Sequence, residues 1–118
     1  MTATPSIETT RYRTHCVVTL EGDLDISSVG RTQVALAELT SYGATRVVVD
    51  CTKLRFLDSA MLATLLAARL TLHRRGGWLR LAGTGPTLRW LLEVTELAGE
   101  LLVYPTVDAA VADLPEAG

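Results

Sequence analysis

The chain has 118 residues, of which 11 are Lys or Arg and 13 are Asp or Glu, so its formal net charge is -2. Apolar residues make up 48% and charged residues 20%, a composition typical of one folded domain and not of a disordered chain. This near-neutral balance argues against nucleic acid or a membrane surface as a partner, because both attract proteins with a basic excess. We therefore expect a single domain over residues 1–118, with a core at about 15–114 and flexible ends at 1–10 and 114–118.

The N-terminal segment and the cysteines indicate a cytoplasmic protein. Residues 1–15 lack the apolar stretch of a signal peptide, and no run approaches the roughly 18 apolar residues that span a bilayer. Cys16 and Cys51 both lie in apolar runs, so we expect small, buried, reduced thiols. A single disulfide in a secreted protein is the alternative.

In the first half of the chain, the apolar pattern alternates between strand and helix. The predicted elements are a strand at residues 15–20, a helix from Ser27 or Ser28 to about Tyr42, and a strand at residues 46–50. The segment 21–25 (EGDLD) is rich in turn formers and is expected to end the first strand. Either serine can cap the helix, and Gly43 can end it. The run RVVVD is typical of a strand that is buried on both faces.

The same alternation continues in the second half. The predicted elements are a helix at about 60–75, a strand at 78–82, a helix from Pro86 to about Leu97, a strand at 101–104 and a short helix at 107–112. Strands that alternate with helices pair in parallel through right-handed crossovers. The pattern therefore predicts a compact α/β domain, and an extra strand near residues 9–13 stays open.

Catalytic motifs are nearly absent. The two histidines, His15 and His73, are far apart in the sequence, and no H-E-x-x-H, C-x-x-C or G-x-S-x-G motif occurs. No histidine stands at a motif position where it could serve as a base for Ser59. We expect no enzymatic activity, no metal site and no cofactor.

The segment Gly83-Thr84-Gly85 lies between a predicted strand and helix, where backbone N–H groups can hold a phosphate. Leu88 occupies the place of the third glycine in G-x-G-x-x-G, and no G-K-[ST] sequence follows. A tight turn is therefore favoured over a nucleotide site.

Asp58 and Ser59 interrupt an apolar segment immediately before a predicted helix. Ser59 is placed as the N-cap of that helix, a role that needs no further function. A helix N-terminus also favours negative charge, so a phosphate on this serine would be accommodated without melting the helix. Both interpretations stay open from the residues alone.

The helix after Ser59 has two unlike faces. We expect one apolar arc toward the core, made of Leu62, Leu65, Leu66 and Leu70. The opposite face carries mostly small residues, namely Ala60, Ala63, Thr64, Ala67, Ala68 and Thr71. Small residues let another backbone approach closely, which indicates a docking surface, although the high helix propensity of alanine explains them equally well.

Four stretches, in order, resemble the STAS domain of bacterial anti-sigma factor antagonists. They are EGDLD at 21–25, VVVDCTKLRFLDSAMLATLL at 47–66, RRGGWLRLAG at 74–83 and LRWLLEVTELAGELLVYPTVDAAV at 88–111. The second resembles the signature D-L-S-x-V-x-F-[MIL]-D-S-[ST]-G-L-x-x-L-L. The resemblance implies a single STAS domain with a mixed sheet of four to five strands and about four helices.

The resemblance also implies a function. In such antagonists, the serine of the D-S pair, here Ser59, is phosphorylated by a kinase that is itself the anti-sigma factor. A PP2C-type phosphatase would act on the modified form. Asp25 and Asp58 match acidic residues whose loops lie beside the phosphorylation helix. The expected partner contacts are Asp25, Asp58, Ala60, Met61, Ala63, Thr64 and Ala67.

Two departures from the signature keep a second interpretation open. Ala60 stands in place of a hydroxyl residue and Met61 in place of glycine, so a flexible apolar side chain is expected where a partner would approach. This would weaken kinase access to Ser59 or restrict it to one cognate partner. The alternative is a non-phosphorylated STAS scaffold, such as a transporter-associated subunit, that docks constitutively.

Overall fold

The computed structural model describes residues 5–97 and 99–113, and these form one α/β unit. In chain order the elements are β1 (Ser6–Arg11), β2 (Cys16–Leu24), a 3-10 turn (Ile26–Ser28), α1 (Val29–Ser41), β3 (Arg46–Leu57), α2 (Ser59–Arg74), β4 (Trp78–Ala82), α3 (Pro86–Val94), β5 (Val103–Tyr104) and α4 (Val107–Ala112). The predicted alternation of strands and helices is confirmed.

The described strands form one five-stranded sheet in which spatial order equals chain order, β1-β2-β3-β4-β5. β1 pairs with β2 antiparallel, and the other three pairs are parallel. The sheet is therefore mixed, as the resemblance implied. Because a helix crosses over between each pair of parallel strands, those strands all end at the same edge of the sheet.

The sheet has a buried layer on each face, which explains the continuous apolar run in β3. Val47 and Val49 belong to the larger core cluster, whose members include the inward side chains of α1, α2 and α3. Val48 belongs to the smaller cluster with Tyr104 and Ala110 of the α4 side. Successive residues of a strand face opposite ways, so RVVVD fills both layers, as predicted.

Two strands are longer than the sequence indicated. β2 continues through Glu21–Leu24, so the prediction that EGDLD ends the strand is wrong. In this part of β2, residues 20, 22 and 24 are buried and the residues between them are partly exposed. The pairing register with β3 is irregular near Gly22 (φ 80°), so the turn-forming residues form a bulge within the strand and do not end it. β3 runs to Leu57, seven residues beyond the predicted end at Asp50.

The predicted ends of the domain also change. Ser6–Arg11 is a strand, so residues 6–10 are not a flexible end, and the extra strand begins earlier than residue 9. Residues 1–4 and 114–118 lie outside the described residues. α3 ends at Val94 instead of near Leu97, and β5 covers only Val103–Tyr104.

Candidate functional site

The loops after β2 and β3 meet at the edge where the parallel strands end. Leu24 and Leu57, the last residues of the two strands, are paired. The backbone N–H of Asp58 donates to the carbonyl oxygen of Leu24 at 3.2 Å. Asp25 and Asp58, each one residue beyond a paired strand end, are thus held side by side, as the resemblance implied.

Asp58, and not Ser59, is the N-cap of α2. Its backbone is extended (φ -91°, ψ 176°), and its carboxylate accepts a hydrogen bond from the N–H of Met61 at 3.0 Å. Ser59 is the first helical residue, so the predicted N-cap role of this serine is wrong. The carboxylate of Asp58 reaches the third helical N–H and therefore takes precedence over the neighbouring hydroxyl.

Ser59 is exposed at the start of α2. In the described part of the chain, no hydrogen bond involves its hydroxyl. The first N–H groups of a helix have no partner within the helix, and the carboxylate of Asp58 accepts that of Met61. The hydroxyl is consequently accessible and lies where a negative group would be stabilised.

Asp25 caps the 3-10 turn that leads into α1. Its Oδ1 accepts hydrogen bonds from the Ser27 hydroxyl at 2.5 Å and from the Ser27 N–H at 2.9 Å. These bonds hold the pKa of the Asp25 carboxyl below its usual value. The sequence named Ser27 or Ser28 as the cap, but neither caps α1 with its side chain: Ser27 donates to Asp25, and Ser28 makes no capping hydrogen bond.

The small-residue face of α2 is only partly available to a partner. Ala63 and Ala67 are exposed and Ala60 is half-buried, as a docking face requires. Thr64 is only 8% exposed, and its hydroxyl donates to the carbonyl oxygen of Ala60 at 2.9 Å. The prediction of a wholly exposed face is therefore wrong at Thr64.

Met61 lies in the core. Its side chain is 0% exposed, and its sulfur accepts the Thr32 hydroxyl of α1 at 3.6 Å. The expectation that this methionine presents an apolar side chain to a partner is wrong, because α2 packs on α1 as well as on the sheet. Leu70 differs in the opposite sense, since it is 43% exposed instead of lying in the core.

Two exposed apolar side chains at this edge were not predicted. Ile26 follows Asp25 directly and is 73% exposed, and Phe56 precedes Leu57 and is 46% exposed. Strand alternation was the available signal for Phe56, since Leu57 next to it points inward. We call the group of Asp25, Ile26, Phe56, Asp58 and Ser59 the Ser59 edge.

The residues of the glycine-rich turn after β4 make backbone and packing contacts within the fold. Gly83 has φ 68°, and its N–H donates to the carbonyl oxygen of Tyr104 at 2.9 Å. A Cβ on Gly83 would lie 2.4 Å from the Thr52 hydroxyl. Gly85 is the N-cap of α3, and Pro86 is at its start, as expected for a tight turn.

In the part of the chain that the structure describes, both thiols are buried and the metal-binding residue types are dispersed. Cys16 and Cys51 are free and buried, as predicted, and burial beside Asp50 raises the pKa of Cys51 to about 12. Within residues 5–97 and 99–113, no three His, Cys, Asp or Glu side chains are grouped as a metal site requires. None of the helices in the same ranges has the length and apolar character to cross a membrane.

The model of the STAS domain family matches residues 6–110. No curated protein matches the chain. Among solved structures, an anti-sigma factor antagonist from Mycobacterium paratuberculosis is similar with 22% identity and a TM-score of 0.84, over 94% of each chain.

Two further structures share the fold. SpoIIAA, a Bacillus cell fate determinant, in its phosphorylated form, has 22% identity and a TM-score of 0.73, over 92% of this chain and 99% of its own. The RsbS protein of Moorella thermoacetica has 19% identity and a TM-score of 0.74, over 92% of this chain and 93% of its own.

Proposed function

Because the chain belongs to the STAS domain family, we propose that it is an anti-sigma factor antagonist that is switched off by phosphorylation of Ser59. The unmodified protein binds an anti-sigma factor with serine kinase activity and thereby releases a sigma factor. The observation that carries the proposal is the exposed Ser59 at the first position of α2, directly after the Asp58 cap and beside the Asp25 loop. A PP2C-type phosphatase would restore the active form.

The Ser59 edge has the features of a docking surface. Ile26 and Phe56 supply exposed apolar area, and Ala63 and Ala67 on α2 leave room for a partner's backbone. Apolar anchors surrounded by polar groups are where interfaces concentrate their binding energy. The domain itself transmits the signal and catalyses no reaction.

Phosphorylation would act locally. A phosphate brings a charge of about -1.5 to -2 beside the carboxylates of Asp25 and Asp58. This concentrated charge would have to lose its water when a partner covers the Ser59 edge, and the cost would oppose binding. The helix start tolerates the phosphate, so the domain stays folded while its affinity changes.

The kinase experiment tests the phosphorylation site. The protein is incubated with ATP and its cognate anti-sigma factor kinase, and phosphate is located by mass spectrometry. We expect modification of Ser59 in the wild type and none in Ser59→Ala. Ser41→Ala is the control, because Ser41 is also exposed but lies at the C-terminal end of α1, away from the Ser59 edge, and it should be modified as fully as the wild type. Equal modification of Ser59→Ala would overturn the proposal.

A binding experiment tests the docking surface. We expect Ile26→Ala and Phe56→Ala to weaken binding to the anti-sigma factor by about tenfold, or about 1.4 kcal/mol, with little change in thermal stability. Leu102→Ala is the control, because Leu102 is also exposed (51%) and lies just before β5, at the edge where the parallel strands begin. An equal loss with Leu102→Ala, or no loss with the other two, would place docking elsewhere.

A constitutive STAS scaffold, for example in a transporter-associated assembly, is the second candidate. The exposed Ala63 and Ala67 favour it, since such a face can be covered permanently. It predicts that purification from cells retrieves transporter subunits with an unmodified chain, and that Ser59→Glu binds them as the wild type does. The switch predicts instead that Ser59→Glu loses its partner.

A further inference from the structure

A polar pocket lies at the opposite edge of the sheet, where β2 and β3 begin. It has a volume of about 460 Å³, within the range of small-molecule sites. Its lining includes the β1–β2 hairpin loop and the link between α1 and β3, with the basic side chains of Arg11, Arg13, His15 and Arg46. We call this site the basic pocket.

Several cations outside the basic pocket form ion pairs, but within the described residues the three arginines of the pocket do not. Lys53 pairs with Glu21 at 3.2 Å, Arg69 with Glu100 at 3.4 Å and Arg80 with Asp113 at 3.8 Å. Among the described residues, no carboxylate lies within 4.0 Å of Arg11, Arg13 or Arg46. Three guanidinium groups that share one pocket without an acidic partner create a local positive potential in a chain of net charge -2.

Part of the basic pocket is held in place before any ligand arrives. The guanidinium of Arg11 lies 4.4 Å from the centroid of the Tyr42 ring, which leaves its in-plane N–H donors available. In the hairpin loop, the rings of Tyr12 and His15 stack at 4.9 Å, and Tyr12 donates its backbone N–H to the His15 carbonyl oxygen at 2.8 Å. A loop fixed in this way loses little conformational freedom on binding.

We propose that the basic pocket binds an anion with two or more linked phosphate groups, either free in solution or as the headgroup of a lipid. A planar guanidinium matches a phosphate with two parallel hydrogen bonds, so three arginines suit several adjacent phosphates better than one isolated charge. The hydroxyl of Thr14 and the imidazole of His15, which are hydrogen-bonded to each other at 3.0 Å, add polar groups to the same lining. Nucleic acid fits less well, because it needs a basic face and not one confined pocket.

Isothermal titration of the full chain with tripolyphosphate, and separately with monophosphate, tests the proposal. We expect tripolyphosphate to bind at least tenfold more tightly and the affinity to fall as salt is added. In NMR titrations, the shifted amides should belong to residues 11–16 and 42–46. Undetectable tripolyphosphate binding, equal affinity for monophosphate, or shifts centred on the Ser59 edge would each overturn the proposal.

Variants that remove the same charge at different places distinguish specific binding in the basic pocket from nonspecific electrostatic attraction. Arg11→Gln combined with Arg46→Gln should weaken tripolyphosphate binding by about tenfold or more, with the fold checked by circular dichroism. Arg31→Gln combined with Lys53→Gln removes the same charge outside the basic pocket and should bind as the wild type does. An equal loss in both double variants would overturn the proposal.

Vesicles identify the source of the phosphates. Phosphatidylcholine vesicles with and without a phosphatidylinositol bisphosphate are sedimented with the protein. Retention only on the phosphorylated lipid, with release by free tripolyphosphate, supports the headgroup. Soluble binding without retention supports a free anion, and retention on phosphatidylcholine alone would count against the basic pocket.

Discussion

At the scale of single residues, the position of Ser59 depends on Asp58. The carboxylate of Asp58 accepts the Met61 N–H, and its own N–H is bound by the Leu24 carbonyl oxygen, so the helix start is fixed to the end of β2. The sequence correctly placed the D-S pair at a helix start, but it assigned the N-cap to Ser59 and not to Asp58. Two side chains that can both cap a helix differ by one position, and propensity alone does not choose between them.

Loss of this cap should be measurable. We expect Asp58→Ala to lower the free energy of unfolding by about 1 kcal/mol, because one helical N–H loses its acceptor. Chemical denaturation measures the effect. Asp58→Asn keeps a capping oxygen and should retain most of the stability, so equal losses in the two variants would contradict the capping role.

The Asp25 carboxyl should titrate below the usual range of aspartate. Its hydrogen bonds from Ser27 favour the charged form, so any stability it contributes is present above the usual pKa and is lost as pH falls through the lowered pKa. NMR detection of the carboxyl carbon during an acid titration gives the value. Ser27→Ala, which removes the hydroxyl donor, should raise the Asp25 pKa toward the usual value, and an unchanged pKa would contradict the assignment.

At the scale of elements, α2 shows why the docking face was only partly predicted. A helical pattern separates an apolar arc from a polar one, but it does not reveal how many neighbours the helix has. α2 packs on the sheet through Leu62 and Leu65 and on α1 through Met61. The packing of α2 on α1 buries Met61 and Thr64 and leaves Ala63 and Ala67 exposed. This pattern of burial follows from the tertiary arrangement and cannot be predicted from the helix alone.

The strands, too, were predicted in some places and missed in others. Val47–Val49 were predicted as buried on both faces because a central parallel strand has no solvent-facing side. The extension of β2 through Glu21–Leu24 was missed because Gly22 and its neighbours also favour turns. Pairing with β3 outweighs that preference.

The start of β4 depends on a close contact at Gly77. A Cβ at this position would lie 1.8 Å from the backbone carbonyl oxygen of Thr45, which accepts the Trp78 N–H at 2.8 Å. We expect Gly77→Ala to lower the free energy of unfolding by about 2 kcal/mol, because the backbone must shift to admit the methyl group. Gly30→Ala, whose Cβ would meet nothing within 4 Å inside α1, is the control for thermal denaturation and should be neutral or slightly stabilising. Equal effects would contradict the contact.

At the scale of the whole molecule, charged and polar side chains are grouped at two opposite edges of the sheet. The Ser59 edge contains Asp25 and Asp58, and the basic pocket lies where the same strands begin. A net charge of -2 conceals this separation, and one phosphate on Ser59 would roughly double the net charge. Composition gives only the overall balance of charge, so it could not locate either edge.

The buried thiol of Cys51 makes the stability of the fold depend on pH in the alkaline range. Burial raises its pKa from 9.0 to about 12, so above about pH 9 the unfolded chain releases a proton that the folded chain retains. Stability should therefore fall as pH rises from 9 toward 12. Denaturation across this range measures the dependence of stability on pH, and Cys51→Ala should reduce that dependence. The raised pKa values of Cys16 and Tyr104 keep part of it, and parallel curves for the two proteins would contradict a contribution from Cys51.

The agreement between chain order and strand order in the sheet has a consequence for biosynthesis. Each new strand adds beside the one made before it, and every residue of the Ser59 edge precedes α3 in the chain. Chains emerge from the ribosome N-terminus first, and local pairing forms sooner than distant pairing. The residues of the Ser59 edge can thus come together on the ribosome while α3, β5 and α4 are still being translated.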